Sequence, residues 1–375
     1  MNEHPTLRDI SLNITEEEYR ADGTIHYSDV AAFERKGFHE IPHMGEKKES
    51  TSLLFGSIVD TMLTDGMDAF ENQYHVASMP NLPDNIAKVV KGLFDAYHET
   101  ATVLDEVPDL AILATLDRID YGTGWRAATR IGKVRIPAAN EYYRQLTLAQ
   151  NKIVITDEMY NQALASVSAL KESPATSALF EADNPFKGTE HFYQLKFRAL
   201  VNPNNIEDIV GTYGMSTEEE LSYRAKGYVP FTVMMDEAMV FHNTKVVLPI
   251  DLKTSSHFED EFFKSFVDWN YHIQARTYYK VLEANMKRSE YYKDFTLLDY
   301  VFVVVNKNSL IPLVWRYSDT QKRGTLVYGK NKNIIMRDPL VLGCELWKYR
   351  QQQPVVPYGI STDTPNELVD YLNTL

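Results

Sequence analysis

The sequence predicts an α/β protein: a mixed central sheet flanked by helices, with a helical insert. Three observations predict it. After Pro185 the chain turns to aromatic and β-branched runs; a helical pattern from about Glu261 to Lys287 interrupts those runs; and between about 84 and 180 apolar residues recur at helical spacing. Strands broken by helices of this length indicate layers of each type around one core. The chain is read as one domain over 1–375, with 84–180 a mostly helical insert and 185–350 a sheet-rich core.

The elements follow in order. Thr15 and Glu18 form a capping-box pattern that opens a short helix, and Tyr27-Ser28-Asp29 opens a second. From Ser52 to Thr64, Leu54, Ile58 and Met62 make a helical stripe, with Gly56 and Asp60 one turn apart on another face; Asp65-Gly66 ends that helix. Asn85 to Tyr97 and Asp157 to Lys171 show the helical period. Strands are expected over His191–Val201, Val229–Phe241, Val246–Thr254, Tyr300–Val305 and Ile311–Trp315, and a last helix over about Thr320 to Met336. Met215 to Gly227 is polar and charged, an excursion from the sheet.

A net charge of −14 argues against a protein that coats nucleic acid nonspecifically, since phosphate contacts come from clustered cations. It leaves room for one basic groove. Arg126, Arg130, Lys133 and Arg135 form one local cluster and Lys322, Arg323, Lys330 and Lys332 another; each reads equally well as a solvated surface. The single cysteine, Cys344, excludes an internal disulfide and a thiolate zinc cluster. No apolar run approaches the roughly 20 residues that span a bilayer, and the polar start lacks an export signal, so a cytoplasmic location away from membranes is expected.

The chemistry concentrates in Phe231 to Thr254, which reads as a hairpin. A two-residue turn at Asn243-Thr244 sets Asp236 directly opposite Asp251, and strand alternation adds Lys253 to their face while Met235, Ile250 and Leu252 point the other way. Opposed carboxylates in an apolar run need compensation. A divalent cation supplies it, and an all-oxygen donor set suits Mg2+ or Mn2+. The alternative is a surface ion pair between Asp251 and Lys253, worth at most about 1 kcal/mol. In the following helix Gln274 and Tyr278 stand one turn apart beside an apolar stripe of Phe266, Trp269 and Ile273; packing alone also accounts for Tyr278.

The ordered set Gly-x-x-x-Asp at 56–60, Asp236, Asp251-Leu252-Lys253-Thr254 and Gln274-x-x-x-Tyr278 resembles the PD-(D/E)XK nuclease superfamily, in its RecB-like, exonuclease VIII-like phage exonuclease branch. The segment Ile25-His26-Tyr27-Ser28 also resembles the opening of such phage proteins, and the likeness covers roughly 27–350. It implies a restriction-endonuclease-like core. It implies that Asp236, Asp251 and the Leu252 carbonyl bind the metal, that Lys253 assists the attacking water and the phosphate, and that Gln274 and Tyr278 support the centre and contact nucleic acid. Asp60 stands where many relatives carry a metal-binding histidine, and Met235 where a proline usually precedes the first aspartate. Glu190 is a further carboxylate at a strand start, read as solvated.

The resemblance thus implies a hydrolase that cuts DNA phosphodiesters with one or two bound cations. An exonuclease on linear duplex DNA is expected, in phage or bacterial recombination, repair or DNA degradation. Relatives form rings around DNA, which implies a homo-oligomer and a recombination partner protein. The competing expectation is an inactive DNA-binding or structural protein that retains the fold.

Overall fold

In the computed structural model, which describes residues 4–38, 41, 50–78, 80–149, 152–180, 189–318, 325–328 and 332–351, Thr15 and Glu18 close the capping box that starts α1 (Glu16–Ala21). Each satisfies the other's backbone N–H, at 3.1 and 2.7 Å. α2 (Tyr27–Lys36) follows and stops at Gly37, whose φ of +66° suits a residue without a side chain. These helices belong to the first of two compact units, formed by residues 1–49 and 170–375; residues 50–169 form the second.

The second unit opens with α3 (Thr51–Asp60), capped by Ser50, and a π-helical turn over Thr61–Asp65 that Gly66 terminates. It continues through α4 (Met67–Gln73), β1 (Tyr74–Ala77), α5 (Asp84–Tyr97), α6 (Asp109–Arg118), α7 (Ala127–Val134), α8 (Pro137–Ala149), β2 (Ile153–Thr156) and α9 (Asp157–Glu172), with β1 and β2 paired in parallel. Ile86, Val89, Val90 and Leu93 repeat at helical spacing along α5 and bury against Ile112, Leu116, Val134 and Tyr143. Each such side chain contributes about 1.5–3 kcal/mol by leaving water.

The first unit resumes with α10 (Ser177–Phe180), β3 (Thr189–Asn202), β4 (Asn205–Gly211), α11 (Thr217–Ala225), β5 (Val229–Phe241) and β6 (Val246–Ser255). Then come α12 (Phe262–Asp268), α13 (Tyr271–Arg288), β7 (Thr296–Leu297), β8 (Tyr300–Asn306), β9 (Pro312–Tyr317), β10 (Thr325–Tyr328), β11 (Lys332–Ile335) and α14 (Pro339–Gln351). A mixed sheet of order β4-β3-β5-β6-β8-β9, with β7 beside β6, forms its centre. The β6–β8 pair is parallel, so α12 and α13 make the crossover that returns the chain to the sheet. α13 is buried along most of its length through Ile273, Ala275, Tyr278, Val281 and Leu282. β4 approaches it so closely that a Cβ on Gly211 would lie 2.6 Å from the Ala284 carbonyl oxygen.

A mixed α/β fold with a helix-flanked central sheet is therefore present, with three local departures from expectation. The helix expected over 261–287 is broken at Asn270, whose left-handed φ of +55° lets α13 start in a new direction. Within 320–336, where a helix was expected, the described residues form the antiparallel pair β10–β11; Thr325-Leu-Val-Tyr328 has strand-favouring chemistry. Before the polar stretch 215–227, which leaves the sheet as expected and holds α11 capped by Ser216, lies β4, where no strand was expected. No helix among the described residues is long and apolar enough to cross a membrane.

Candidate active site

The hairpin register is the expected one: Phe241 pairs with Val246 and Glu237 with Ile250, around a turn over 242–245. The β5–β6 ladder stops there, one step short of Asp236 and Asp251. On the other side of β5, Tyr193 pairs with Glu237 and Leu195 with Met235, while Gln194, which would face Asp236, adopts a left-handed φ of +53°. The side-chain alternation slips at this point. Val229, Phe231, Val233 and Met235 enter the main core at odd positions, and Ala238 and Val240 at even ones. Met235 lies in the apolar core, as expected, and Asp236 sits at the slip.

Released from the ladder, the Asp236 carboxylate takes the place of a strand: its Oδ2 accepts the Leu252 N–H at 3.0 Å. β5 and β6 therefore form a fork. The Leu252 carbonyl lies on the same edge of β6 as its N–H, facing the opening. Further along, Ile25 bridges β5, its N–H bonding to the Pro230 carbonyl at 2.9 Å and its carbonyl accepting from Thr232 at 3.0 Å. This bridge delivers Tyr27, two residues on, to the fork, where Lys253, Asp251 and Asp236 all act on its hydroxyl.

Asp251 has no exposed surface. The Lys253 ammonium reaches its Oδ2 at 2.5 Å, and the Gln274 side-chain amide donates to its Oδ1 from the first turns of α13. Asp236 and the Tyr300 hydroxyl complete its surroundings. Burial pushes the Asp251 carboxyl up, against the pull of Lys253. For Lys253, burial works toward neutrality, but Asp251, then Tyr27 and Asp236, hold it above the ordinary lysine range. Its ammonium also lies 5.1 Å from the centroid of the Tyr271 ring. The ion pair is thus an interior one rather than a surface contact.

Gln274 joins the carboxylates directly, whereas Tyr278 is buried behind them. It packs edge to face with Tyr27 at 5.7 Å and Tyr300 at 6.2 Å. Tyr27 enters the sequence reading only in a helix start and in the Ile25–Ser28 segment, and Tyr271 and Tyr300 are not candidates there. Tyr300 precedes Phe302, the β8 partner of Asp251, by two residues, so it shares that face. Only the β6–β8 register reveals it.

Asp60 closes α3 in the second unit, where its carbonyl accepts the Thr64 hydroxyl at 3.0 Å. Among the described residues no group of three or more His, Cys, Asp or Glu is arranged to hold a metal. The fork offers instead two carboxylates and one backbone carbonyl, a hard-oxygen set of the size Mg2+ uses when waters and substrate oxygens fill the remaining positions. The buried Asp251 Oδ2, with no hydrogen bond beyond its ion pair, fits such a cation.

Glu190 lies elsewhere: it meets His242 at 3.0 Å and pairs with Val240, about 13 Å along β5 from Asp236 at strand spacing. In the cluster at 126–135, Arg130 is buried on Asp117 at 2.7 Å and Arg135 ties Asp109 at 2.7 Å to the Val107 carbonyl at 2.7 Å, so both serve the helical unit's own structure. Lys322, Arg323 and Lys330, and the side chain of Lys332, fall outside the described residues. Comparison of the chain with protein-family models, with curated proteins and with solved structures finds no match.

Proposed function

We propose that this chain is a metal-dependent DNA nuclease of the PD-(D/E)XK type, in the RecB-like, exonuclease VIII-like branch, acting on the ends of linear duplex DNA. The carrying observation is the fork itself, where Asp236, Asp251 and Lys253 converge with Gln274 at a break in two strand ladders. A buried carboxylate, Asp251, beside a half-buried one, Asp236, at such a break serves chemistry better than stability, because it costs desolvation that an apolar residue would avoid.

In this reading Asp236, Asp251 and the Leu252 carbonyl hold Mg2+ or Mn2+. When bound, the cation supplies a more acidic water and neutralises charge on the phosphate in the transition state. Gln274 fixes the Asp251 carboxylate plane through Oδ1 and leaves Oδ2 directed at Lys253. Lys253, kept charged, donates to a nonbridging oxygen and holds the water in line, a positioning contribution of several kcal/mol. Tyr278 acts by packing, steadying Tyr27 and Tyr300. The ring-forming oligomer and the recombination partner belong to the same proposal.

One observation favours a second reading, an inactive binding or structural protein: Asp251 is fully covered and is already balanced by Lys253 and Gln274 without a metal. The test incubates the wild type, Asp251→Ala and Lys253→Ala with linear and covalently closed duplex DNA and either cation. Loss of linear DNA by the wild type alone supports an exonuclease, and nicking of closed circles an endonuclease. Equal inertness of all three sinks the nuclease reading.

A further inference from the structure

We infer that the loop 119–126 of the second unit is a docking point for single-stranded nucleic acid, with Trp125 as the stacking platform for an unpaired base and Arg118, Arg126 and Lys133 as its phosphate contacts.

Trp125 is 48% exposed, yet its position is built rather than loose. The loop leaves α6 through two left-handed residues, Asp120 at φ +52° and Gly122 at φ +63°. The indole is laid against Gly122 so closely that a Cβ there would meet the ring at 2.8 Å. Its backbone N–H closes a turn on the Gly122 carbonyl at 2.9 Å, and Tyr121 stands edge-on to it at 5.7 Å. Beneath, the buried Arg130 donates to the Tyr121 carbonyl at 3.0 Å and pairs with Asp117 at 2.7 Å, anchoring the loop to the helical core. A strained, anchored loop that presents a large ring to water is costly for stability alone, and such strain concentrates where a ligand is met.

The charge around it selects the ligand. Arg118, Arg126 and Lys133 are exposed and form no ion pair among the described residues, whereas Arg130 and Arg135 are consumed internally. Arg126 and Lys133 lie two turns apart at the start and end of α7, on one face. In a chain of net charge −14, these three cations stand beside two exposed acids, Asp120 and Asp117, the second already paired with the buried Arg130, which leaves a local positive excess. A fixed π-face flanked by cations is how single strands are held without sequence preference: bases stack and phosphates take the charges. Duplex DNA offers no free base face to the ring. The inference is independent of the nuclease reading, since a chain that binds strands without cutting them would use the loop in the same way.

The test measures binding of a dye-labelled oligothymidylate by fluorescence anisotropy with the full chain in EDTA, so that cleavage plays no part. Trp125→Ala should weaken binding about tenfold, and Trp125→Phe, which keeps a stacking ring, should stay within about threefold of the wild type. The double variant Arg126→Ala/Lys133→Ala should flatten the dependence of log K on log salt by about 1.4, the contribution of two phosphate contacts on a single strand. Leu53→Ala, which trims another exposed apolar residue of the same unit, should bind as the wild type does. Thermal melts confirm that each variant is folded. The proposal is overturned if Trp125→Ala binds as tightly as the wild type, if Trp125→Phe is as weak as Trp125→Ala, or if the wild type ignores the oligonucleotide, which would leave the loop to a protein partner. Trp125-dependent binding supports it whether or not DNA is cut when metal is added.

Discussion

Replacing Lys253 with methionine removes the cation paired with a carboxylate that has no exposed surface. The folded variant must bury an ionised Asp251 or protonate it, and protonation sets the ceiling on the loss. From the ordinary carboxylate value of 3.8, holding a proton at pH 7 costs about 4 kcal/mol at 1.4 kcal/mol per pH unit, falling to about 2 kcal/mol at pH 5. The Gln274 and Tyr300 contacts remain and lessen it, so we expect a destabilisation of about 3 kcal/mol at pH 7. The sign is fixed by linkage: the variant's folded carboxyl pKa lies above its unfolded one, so the folded state holds the extra proton and stability returns as pH falls toward 3.8. Urea denaturation at pH 5 and 7 reads this directly. Mg2+ or Mn2+ at ten times its Kd should return about 1.4 kcal/mol to the variant by taking the missing cation's place. The double variant Asp251→Asn/Lys253→Met, neutral at both positions, should be more stable than Lys253→Met alone. A Lys253→Met protein as stable as the wild type at pH 7, with no gain at pH 5, would refute the buried-pair argument.

Burial, reinforced by Arg276, lowers the His272 pKa from 6.5 to about 4, so the folded state resists a proton that the unfolded chain accepts. The wild type should therefore lose about 3 kcal/mol between pH 6.5 and 4 relative to His272→Leu, measured by urea midpoints. Gly211→Ala drives a methyl into the α13 backbone and should cost about 1–3 kcal/mol in a thermal melt; a neutral result would mean β4 can move away from the helix. Asn270→Val places a branched side chain at a left-handed residue and should cost about 2 kcal/mol, whereas Asn270→Gly should be nearly neutral by the same assay. Gly122→Ala puts a side chain on a left-handed residue and against the indole, so it should cost about 1–2 kcal/mol in the melt and alter the fluorescence of Trp125.

Much of the sheet was legible because burial on both faces leaves long apolar runs: β3, β5, β6, β8 and β9 fall within two residues of their expected bounds. The hairpin register was legible too, since a local turn sets it. What stayed hidden depends on partners distant in sequence. The slip at Asp236 needs Gln194 across β3, and the place of Tyr300 needs the parallel register of β6 on β8. Periodicity could not find Asn270, because both flanking helices carry apolar stripes and only a backbone dihedral separates them. The cluster at 126–135 could be read only in part for another reason: composition counts charges but not their partners, and two of its four arginine and lysine side chains are occupied inside the unit.

The division of the first unit into an early and a late segment has a consequence for its birth on the ribosome. Its β5 is bridged by Ile25 from the first segment, and α14 closes over the same region, with Arg350 pairing to Asp29 at 2.6 Å and Gly343 lying directly against Phe231. None of those late contacts exists until the last helix has been synthesised, whereas residues 50–169 are complete long before. Vectorial synthesis therefore lets the helical unit fold alone while Ile25 and its neighbours wait with their apolar faces unmatched. In that interval those apolar faces are open to aggregation, and a pause placed after residue 169 would lengthen their exposure.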